Sequence, residues 1–200
     1  MNSNIINFYL EANNLKNVIR TGWKEVGIPE DKIESVSDHI CGTMILALSI
    51  IEAKNLSLNT DKVFKMIIVS ELYKAVANKE ESIISSSKKE DAKILTESIV
   101  NKLGDNSLLS IYDEYKAMES EESKFTYKVS KLESDIQAKI YEKNGYFTIE
   151  NAKSDIENYP EDIKSQLVEI GKASDGWITY DRKYYDDELF MSLSKDIQEL

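Results

Sequence analysis

The stretch Lys65-Met-Ile-Ile-Val-Ser-Glu-Leu-Tyr-Lys-Ala-Val76 determines how the fold of this chain is interpreted. Residues 66–69 would be apolar on nearly every side of a helix, a pattern typical of a helix buried at the centre of a domain. We therefore predict a helix over residues 60–76. Glu71 and Lys74 lie three positions apart, so their side chains share one face of this helix. We predict a partly buried ion pair between them.

Helical periodicity extends over most of the chain. From residue 34 to residue 54, apolar side chains recur at three- and four-residue steps, with Ser35 as the predicted N-cap and Asn55 as the predicted stop. Further predicted helices occupy residues 88–103, closing at Gly104, and 107–118, 123–141, 161–170 and 184–197, with loops at 82–87 and 175–176. We find no convincing strand, repeat or linker. The sequence therefore predicts an all-α fold, a single helical domain over residues 1–200.

Composition and charge exclude several classes of protein. Two hundred residues suffice for one domain with a sizeable core, and 42% hydrophobic and 30% charged residues are ordinary globular values. The formal net charge of −11 repels phosphate polymers and anionic membranes, so we expect neither as a partner. A lone Cys41, no visible secretory signal and no uninterrupted apolar stretch of about 18 residues predict a soluble, cytoplasmic protein.

Three parts of the sequence together resemble the HD-domain phosphohydrolases, in the branch of 5′-deoxynucleotidase-like proteins. Their order and spacing match that family, which implies a helical HD-type fold. The resemblance covers about residues 10–145 as an HD-like core and leaves about 146–200 as a C-terminal helical extension. The matching segments are Leu15-Lys-Asn-Val-Ile-Arg-Thr-Gly-Trp23 with Glu34-Ser-Val-Ser-Asp-His39, then residues 66–76, then Ile111-Tyr-Asp-Glu-Tyr115 with residues 128–138.

The resemblance implies a divalent cation held by a histidine, a His-Asp doublet and a distant aspartate. Such a set fixes the ion, which lowers the pKa of bound water and polarises a phosphoryl oxygen. A helix glutamate and a loop aspartate complete the family pattern. These six positions correspond in this chain to His39, Ser70, Glu71, Ser130, Lys74 and Lys79, of which only His39 is unchanged.

The charge at these positions changes sign. Four carboxylates in the family pattern give about −4, whereas Glu71, Lys74 and Lys79 sum to +1. His39 is also the only histidine, so a site with several imidazoles cannot be built. We therefore expect no metal cofactor, with His39 as a buried helix histidine and the Lys74 ammonium in place of the ion beside Glu71.

These observations support two hypotheses for the function, a binding module and an enzyme. The first is a non-catalytic HD-domain pseudoenzyme, a binding or interaction module for a small anion or nucleotide, with Arg20, Lys74 and Lys79 as candidate anion-binding residues and a homodimer as the expected assembly. The second is a metal-dependent 5′-nucleotidase-like phosphohydrolase with an altered site. The second would need new ligands such as Asp38, Glu71 and Asp135 around His39, although Asp38 adjoins His39 and points about 100° away from it on a helix.

Overall fold

The computed structural model describes residues 2–77, 88–152, 157, 160–162, 164–165 and 171–200. These residues contain helices and no strand, apart from one isolated antiparallel bridge between Ile19 and Ser35, so the all-α prediction is confirmed. The α-helices are α1 (Asn2–Ala12), α2 (Thr21–Glu25), α3 (Val36–Lys54), α4 (Thr60–Glu71), α5 (Lys74–Ala77), α6 (Lys88–Val100), α7 (Ser107–Ala117), α8 (Glu121–Lys143), α9 (Ala173–Asp181) and α10 (Glu188–Gln198).

The chain divides into two compact units, each built from two separate segments. Unit 1 comprises Met1–Ile19 and Ser35–Tyr127, and unit 2 comprises Arg20–Glu34 and Lys128–Leu200. Helix α8 begins in unit 1 and ends in unit 2. The unit boundaries therefore differ from the predicted division near residue 145, and the single domain stays a prediction.

The core of unit 1 confirms most of the prediction for the deciding stretch. Met66, Ile67 and Val69 of α4 are buried, and α4 packs against both α3 and α7. Ile68 is exposed, so α4 is buried on most sides rather than all. Val69 belongs to one cluster of buried apolar side chains, whose other members are Leu15, Val18, Val36, Leu72, Ala75, Val76, Leu95, Ile99, Val100 and Tyr112.

The predicted continuous helix over 60–76 is wrong at its end. Helix α4 stops at Glu71, and α5 resumes only at Lys74. The backbone N–H of Ala75 bonds the carbonyl of Leu72 at 2.9 Å, which tightens the turn, and the side-chain amide of Asn14 donates to the carbonyl of Ala75 at 2.6 Å. The bond from Asn14 thus attaches α5 to the segment at residues 13–17.

Helix α3 begins and ends where the sequence predicts. Ser35 and Asp38 form a reciprocal capping box, in which each side chain accepts a bond from the other residue's backbone N–H. Asn55 closes the helix in the left-handed conformation, with φ of 49°. Helix α6 likewise continues through a 3₁₀ turn and closes at Gly104.

An aromatic cluster forms much of the core of unit 2. Trp23 contacts Tyr141, Phe147 and Trp177, with ring centroids 5.2, 6.3 and 5.0 Å apart respectively. Gly27 in the same segment packs closely against Asn151. It has φ of 84°, and a Cβ there would lie 2.6 Å from the carbonyl oxygen of Asn151, so the position requires glycine. Trp23 is therefore a core residue of this unit.

Two predictions for the C-terminal segment need correction. Asp175 and Gly176 lie inside α9 rather than in a loop, because residues 174 and 175 anchor that helix by polar contacts described below. The last helix begins at Glu188, capped by Asp187, after a 3₁₀ turn at Arg182–Tyr184. The predicted loop at 82–87 lies outside the described residues, as does most of the predicted helix at 161–170.

Helix α3 is long and apolar enough to span a membrane by length and composition, with 33% of the relevant window buried. The core helix of a soluble protein passes the same test, so this property is weak evidence for a membrane span.

Candidate functional site

His39 lies in the first turns of α3 in unit 1 and is buried. Its neighbour Asp38 is exposed, and its carboxylate accepts bonds from the backbone N–H and the hydroxyl of Ser35 at 2.9 and 2.8 Å. These bonds give Asp38 a helix-capping role. Asp38 is therefore a poor member of the alternative ligand set around His39.

The two positions of the expected His-Asp doublet have other partners in unit 1. The hydroxyl of Ser70 donates to the carbonyl of Ile67, one turn earlier in α4, at 2.9 Å. The Nζ of Lys74 lies 2.5 Å from Oε2 of Glu71, with side-chain exposures of 28% and 15%. The predicted, partly buried ion pair is thus present, although the turn at residues 72–73 interrupts the helix between its members.

Tyrosines surround this ion pair. Burial, and secondarily the negative charge of Glu71, raises the pKa of Tyr73 to about 12. Burial, and secondarily the negative charge of Glu71, also raises the pKa of Tyr115 above its ordinary value. The Lys74 ammonium also lies 5.8 Å from the ring centroid of Tyr73, within cation–π distance. Glu71 therefore lies in an environment of low polarity that favours a cation beside it.

Arg20 is the centre of a charged cluster in unit 2. Its guanidinium lies 2.7 Å from a carboxylate oxygen of Glu34 and 3.9 Å from one of Glu133, and it donates to the hydroxyl of Ser134 at 3.1 Å. The indole N–H of Trp23 donates to the same Glu34 oxygen at 2.9 Å. Arg20 is therefore tied to carboxylates in its own unit, and an anion would have to compete with them.

Glu34 has an unusual titration because of this cluster. Burial raises its pKa above the ordinary value, and the neighbouring Glu133 carboxylate raises it further, while Arg20 opposes both effects. Two carboxylates that share one guanidinium form an arrangement that a divalent cation could also bridge. This is the one acidic pair beside Arg20 in the part of unit 2 that the structure describes.

Ser130, the predicted counterpart of the distant aspartate, lies on the part of α8 that belongs to unit 2. Its carbonyl accepts a bond from the hydroxyl of Ser134 at 3.2 Å, so it is one turn from the residue that Arg20 contacts. His39 and Glu71 belong to unit 1 and Ser130 to unit 2. Their convergence stays a prediction, and Lys79 lies outside the described residues.

Asp135, a candidate metal ligand if the chain is an enzyme with an altered site, is a buried residue of unit 2. The hydroxyl of Tyr185 donates to its Oδ2 at 2.6 Å, and its buried Oδ1 has no hydrogen-bond partner among the described residues. Burial, and secondarily the charge of Asp181, raises the pKa of Asp135 to about 8, against the opposing bond from Tyr185. A carboxyl that is largely protonated near neutral pH is a poor metal ligand.

Two polar contacts attach α9 to the end of α8. The Nζ of Lys139 lies 2.6 Å from Oδ1 of Asp175, and their side chains are only 7% and 8% exposed. The backbone N–H and the hydroxyl of Ser174 donate to the two carboxylate oxygens of Glu142 at 3.0 and 2.7 Å. These contacts explain why residues 174–176 are helical.

The side chains at the predicted ligand positions of unit 1 differ from those of the family pattern. They comprise one imidazole, from His39, and one carboxylate, from Glu71, which already binds an ammonium. The neutral hydroxyl of Ser70 is bonded to its own helix. Catalytic metal sites of this kind use three protein ligands and an open position.

Sequence patterns alone did not identify Glu34, Glu133, Lys139 or Asp175 as interacting residues. A signal exists for α8, because Asp135 and Lys139 lie three and seven positions after the buried Leu132 and so share its core-facing side. Charged residues at such positions indicate buried ion pairs or hydrogen bonds. No comparable signal marks Glu34, whose partners are distant in the chain.

Comparison with known proteins agrees with this architecture. The sequence profile of the HD domain family matches residues 12–170. The mouse (Mus musculus) protein 5′-deoxynucleotidase HDDC2 is 27% identical over 147 residues, which are 69% of this chain and 70% of that protein.

Solved structures share the fold. A conserved hypothetical protein from Pyrococcus furiosus has a TM-score of 0.64 at 19% identity, covering 98% of this chain and 99% of that one. The PH0347 protein from Pyrococcus horikoshii OT3 has a TM-score of 0.63 at 21% identity, covering 95% and 98%. The profile match over most of the chain, with the helical architecture, shows that this chain belongs to the HD-domain phosphohydrolase family.

Proposed function

We propose that this chain is a non-catalytic member of its family, a pseudoenzyme that acts as a binding or interaction module. One observation supports this most directly: the Lys74 ammonium lies 2.5 Å from the Glu71 carboxylate, where the family pattern has a metal ligand. In this proposal the ammonium group of Lys74 takes the place of the metal ion beside Glu71. Ser70 and Ser130 at two further ligand positions support the same conclusion.

The charge of Lys74 opposes entry of a second cation. Two unit charges about 4 Å apart repel by about 4 kcal/mol at an effective dielectric constant near ~20, and a divalent ion doubles that value. An entering ion would also have to break the bond between Lys74 and Glu71. Without a bound ion, the chain has neither a Lewis acid nor an activated water for phosphoryl transfer. We therefore expect negligible hydrolysis of deoxynucleoside 5′-monophosphates.

Metal content and activity, measured on the same preparation, test this proposal. Protein purified without chelator should contain no stoichiometric zinc, manganese, cobalt or iron and should release no phosphate from 5′-monophosphates. The variant with Ser70→His, Glu71→Asp, Lys74→Glu and Ser130→Asp restores four of the five changed family positions and should gain metal. Stoichiometric metal in the wild-type protein, lost in Glu71→Gln, would refute the proposal. A folded restored variant without metal would show that the assigned positions are wrong.

The carboxylate pair around Arg20 favours a second candidate, a metal-dependent 5′-nucleotidase-like enzyme with an altered site. Glu34 and Glu133 could exchange the guanidinium for a divalent ion, and the curated relative from mouse is named as a 5′-deoxynucleotidase. Metal-dependent phosphate release that is lost in Glu34→Gln would establish this candidate. The exposed Glu30→Gln is the matched control, because it removes one carboxylate elsewhere in unit 2.

A small anion or nucleotide as the ligand of the module has less support from the described residues. Arg20 pairs with Glu34, and Lys74 pairs with Glu71, so both cations are already partly neutralised. An anion that binds the folded state should still raise the melting temperature by mass action. A shift on adding phosphate or deoxynucleoside monophosphate that shrinks in Lys74→Ala would support the anion. No shift at millimolar phosphate would leave interaction with another protein as the function to pursue.

A further inference from the structure

A group of lysine and tyrosine side chains in unit 2 takes part in none of the interactions described above. The Nζ of Lys131, on α8, lies 4.5 Å from the ring centroid of Tyr184, and the Nζ of Lys183 lies 4.9 Å from the same centroid. The Nζ of Lys183 also lies 3.1 Å from the ring centroid of Tyr180, on α9. Two ammonium groups therefore lie within cation–π distance of one aromatic ring. We call these four residues the lysine–tyrosine cluster.

The positive charges of this cluster are not neutralised by carboxylates in the part of the chain that the structure describes. Neither Lys131 nor Lys183 forms an ion pair there, whereas Lys128, one turn earlier on α8, has two carboxylate partners. Asp135, one turn after Lys131, has a pKa of about 8 and is therefore largely protonated near neutral pH. The charges of Lys131 and Lys183 are thus available to an anion.

The cluster is accessible from solution and remains charged. Lys183 is exposed, and the side chains of Lys131 and Tyr184 are half-buried. Burial lowers the pKa of Lys183, but interactions with the hydroxyl groups of Tyr180 and Tyr184 outweigh burial, and the pKa lies above its ordinary value. The tyrosine rings therefore position this ammonium group without removing its charge.

We propose that the lysine–tyrosine cluster binds the phosphoryl group of a small phosphorylated molecule, with the ammonium groups of Lys131 and Lys183 as its two charged ligands. Hydrogen bonds between ammonium groups and phosphate oxygens are charge-assisted and stronger than neutral ones. The hydroxyl of Tyr184, beside both lysines, can donate a further bond to the anion. This inference rests on the binding role proposed above and gives that role a ligand class and a site.

The surroundings of the cluster favour a single phosphoryl group over a nucleic acid strand. Asp186, Asp187 and Glu188 follow Tyr184 closely in the chain, and the net charge is −11. Further phosphates of a strand would be repelled by these carboxylates and by the acidic chain as a whole. A compact anion avoids most of that repulsion.

The phosphoryl group, rather than an attached base, should determine affinity. The rings of Tyr180 and Tyr184 already contact ammonium groups, so they do not form an open platform on which a base could stack. We therefore expect inorganic phosphate, ribose 5-phosphate and deoxyadenosine 5′-monophosphate to bind with similar affinity.

The cluster is separate from the six positions of the family pattern. Tyr180, Lys183 and Tyr184 lie beyond residue 170, where the match to the HD domain profile ends. Lys131 adjoins Ser130, but consecutive residues of an α-helix point about 100° apart. The proposed site is therefore a property of the C-terminal segment of this chain.

Equilibrium dialysis against radiolabelled inorganic phosphate tests this inference. The wild-type protein should bind phosphate in the millimolar range, and sodium chloride should weaken binding, because water and salt reach the exposed ammonium group. Lys131→Gln and Lys183→Gln should each weaken binding by about tenfold, through the loss of one charge-assisted bond. Lys131→Arg and Lys183→Arg keep the charge and should bind nearly as well as the wild type.

Two control variants separate this site from net charge and from the pair in unit 1. Lys143→Gln removes one positive charge from an exposed position at the end of α8 and should bind phosphate as the wild type does. Lys74→Ala should also leave this binding unchanged. Competition of ribose 5-phosphate and deoxyadenosine 5′-monophosphate with labelled phosphate compares the three ligands, and circular dichroism shows whether each variant is folded.

Several results would overturn the inference. These are a wild type that binds no phosphate at millimolar concentrations, unchanged affinity in both Lys131→Gln and Lys183→Gln, and an equal loss in Lys143→Gln. Loss of binding in Lys74→Ala alone would place the anion in unit 1 instead. Tighter binding of a single-stranded oligonucleotide than of phosphate would identify nucleic acid as the ligand. Metal content is measured separately, so this inference and the pseudoenzyme proposal can fail independently.

Discussion

Asp135 makes the stability of this protein depend on pH in the unusual direction for a carboxyl group. It is buried in unit 2, accepts one bond from Tyr185, and has a pKa of about 8 in the folded state against an ordinary value of 3.8. Asp135→Asn retains the shape and an acceptor for Tyr185 but cannot ionise. We expect this variant to be more stable than the wild type above neutral pH.

The size of the effect follows from proton linkage. Between pH 3.8 and about 8 the folded state binds this proton more tightly than the unfolded state does. Stability from this group is therefore present at low pH and is lost as pH rises through that window. Each pH unit in this window changes the free energy of unfolding by about 1.4 kcal/mol. From about pH 5 to about pH 8, the difference in the free energy of unfolding between the variant and the wild type should therefore grow by up to about 4 kcal/mol.

Urea unfolding of both proteins, followed by circular dichroism at several pH values across this window, measures that difference. The free energy of unfolding of the wild type relative to Asp135→Asn should decline steadily as pH rises. Glu150→Gln removes an exposed carboxylate of the same unit and should show no such trend. A difference that stays constant within about 0.5 kcal/mol over the window would refute the assignment of a raised pKa to Asp135.

Three substitutions test the contacts that hold each unit together. Lys74→Met should lower the free energy of unfolding by about 1–2 kcal/mol. This value lies between those for exposed and buried ion pairs, because the side chains of Lys74 and Glu71 are 28% and 15% exposed. Adding Glu71→Leu should recover much of the loss, because no unpaired charge remains. Lys139→Met should cost about 3–5 kcal/mol, because it leaves a buried carboxylate without its cation. Gly27→Ala should cost more than about 1 kcal/mol, because φ is 84° and the new Cβ would lie 2.6 Å from the carbonyl oxygen of Asn151. Denaturant unfolding measures all three.

Each of these variants has an informative control. A coupling energy for Lys74 and Glu71 within about 0.3 kcal/mol of zero would mean that the two side chains are independently solvated. Lys143 is exposed at the end of α8, so Lys143→Met should be nearly neutral where Lys139→Met is costly. Gly22 has open space around its Cβ position, so Gly22→Ala should be tolerated; equal effects at Gly22 and Gly27 would contradict the steric argument.

Local chemistry made the helices of this chain predictable. Ser35, Asn55 and Gly104 each provide a cap that depends on a single residue type, so the sequence specifies these ends without reference to the rest of the fold. The ion pair of Glu71 and Lys74 was predictable for the same reason, since its members are three residues apart.

Features that depend on distant contacts were not predictable in this way. The side-chain amide of Asn14 bonds the carbonyl of Ala75 in α5, and this contact joins residues 61 positions apart. The helix at Asp175 follows from Lys139, 36 positions earlier. On α8 the buried Lys139 and the exposed Ile140 reverse the simple expectation from hydrophobicity, because the ion pair with Asp175 decides which side of the helix is buried.

The candidate site could be stated from the sequence only as a set of substitutions and not as a geometry. Aligning the family pattern with this sequence assigns Ser70, Glu71 and Ser130 to changed ligand positions, and that assignment stays a prediction. It does not indicate that Arg20 binds Glu34, because that pairing depends on how the segment of residues 20–34 folds onto α8 within unit 2.

The aromatic cluster of unit 2 determines what intrinsic fluorescence can report. The chain has two tryptophans, Trp23 and Trp177, and their rings lie 5.0 Å apart in this cluster. Tryptophan emission is therefore a signal from unit 2 alone, whereas helical ellipticity comes from both units. Because 154 positions separate the two indoles along the chain (177 − 23), their close contact forms only when these two distant segments have come together. Coincident unfolding curves from the two signals would show that both units unfold as one cooperative body, and separated curves would assign the fluorescence midpoint to unit 2.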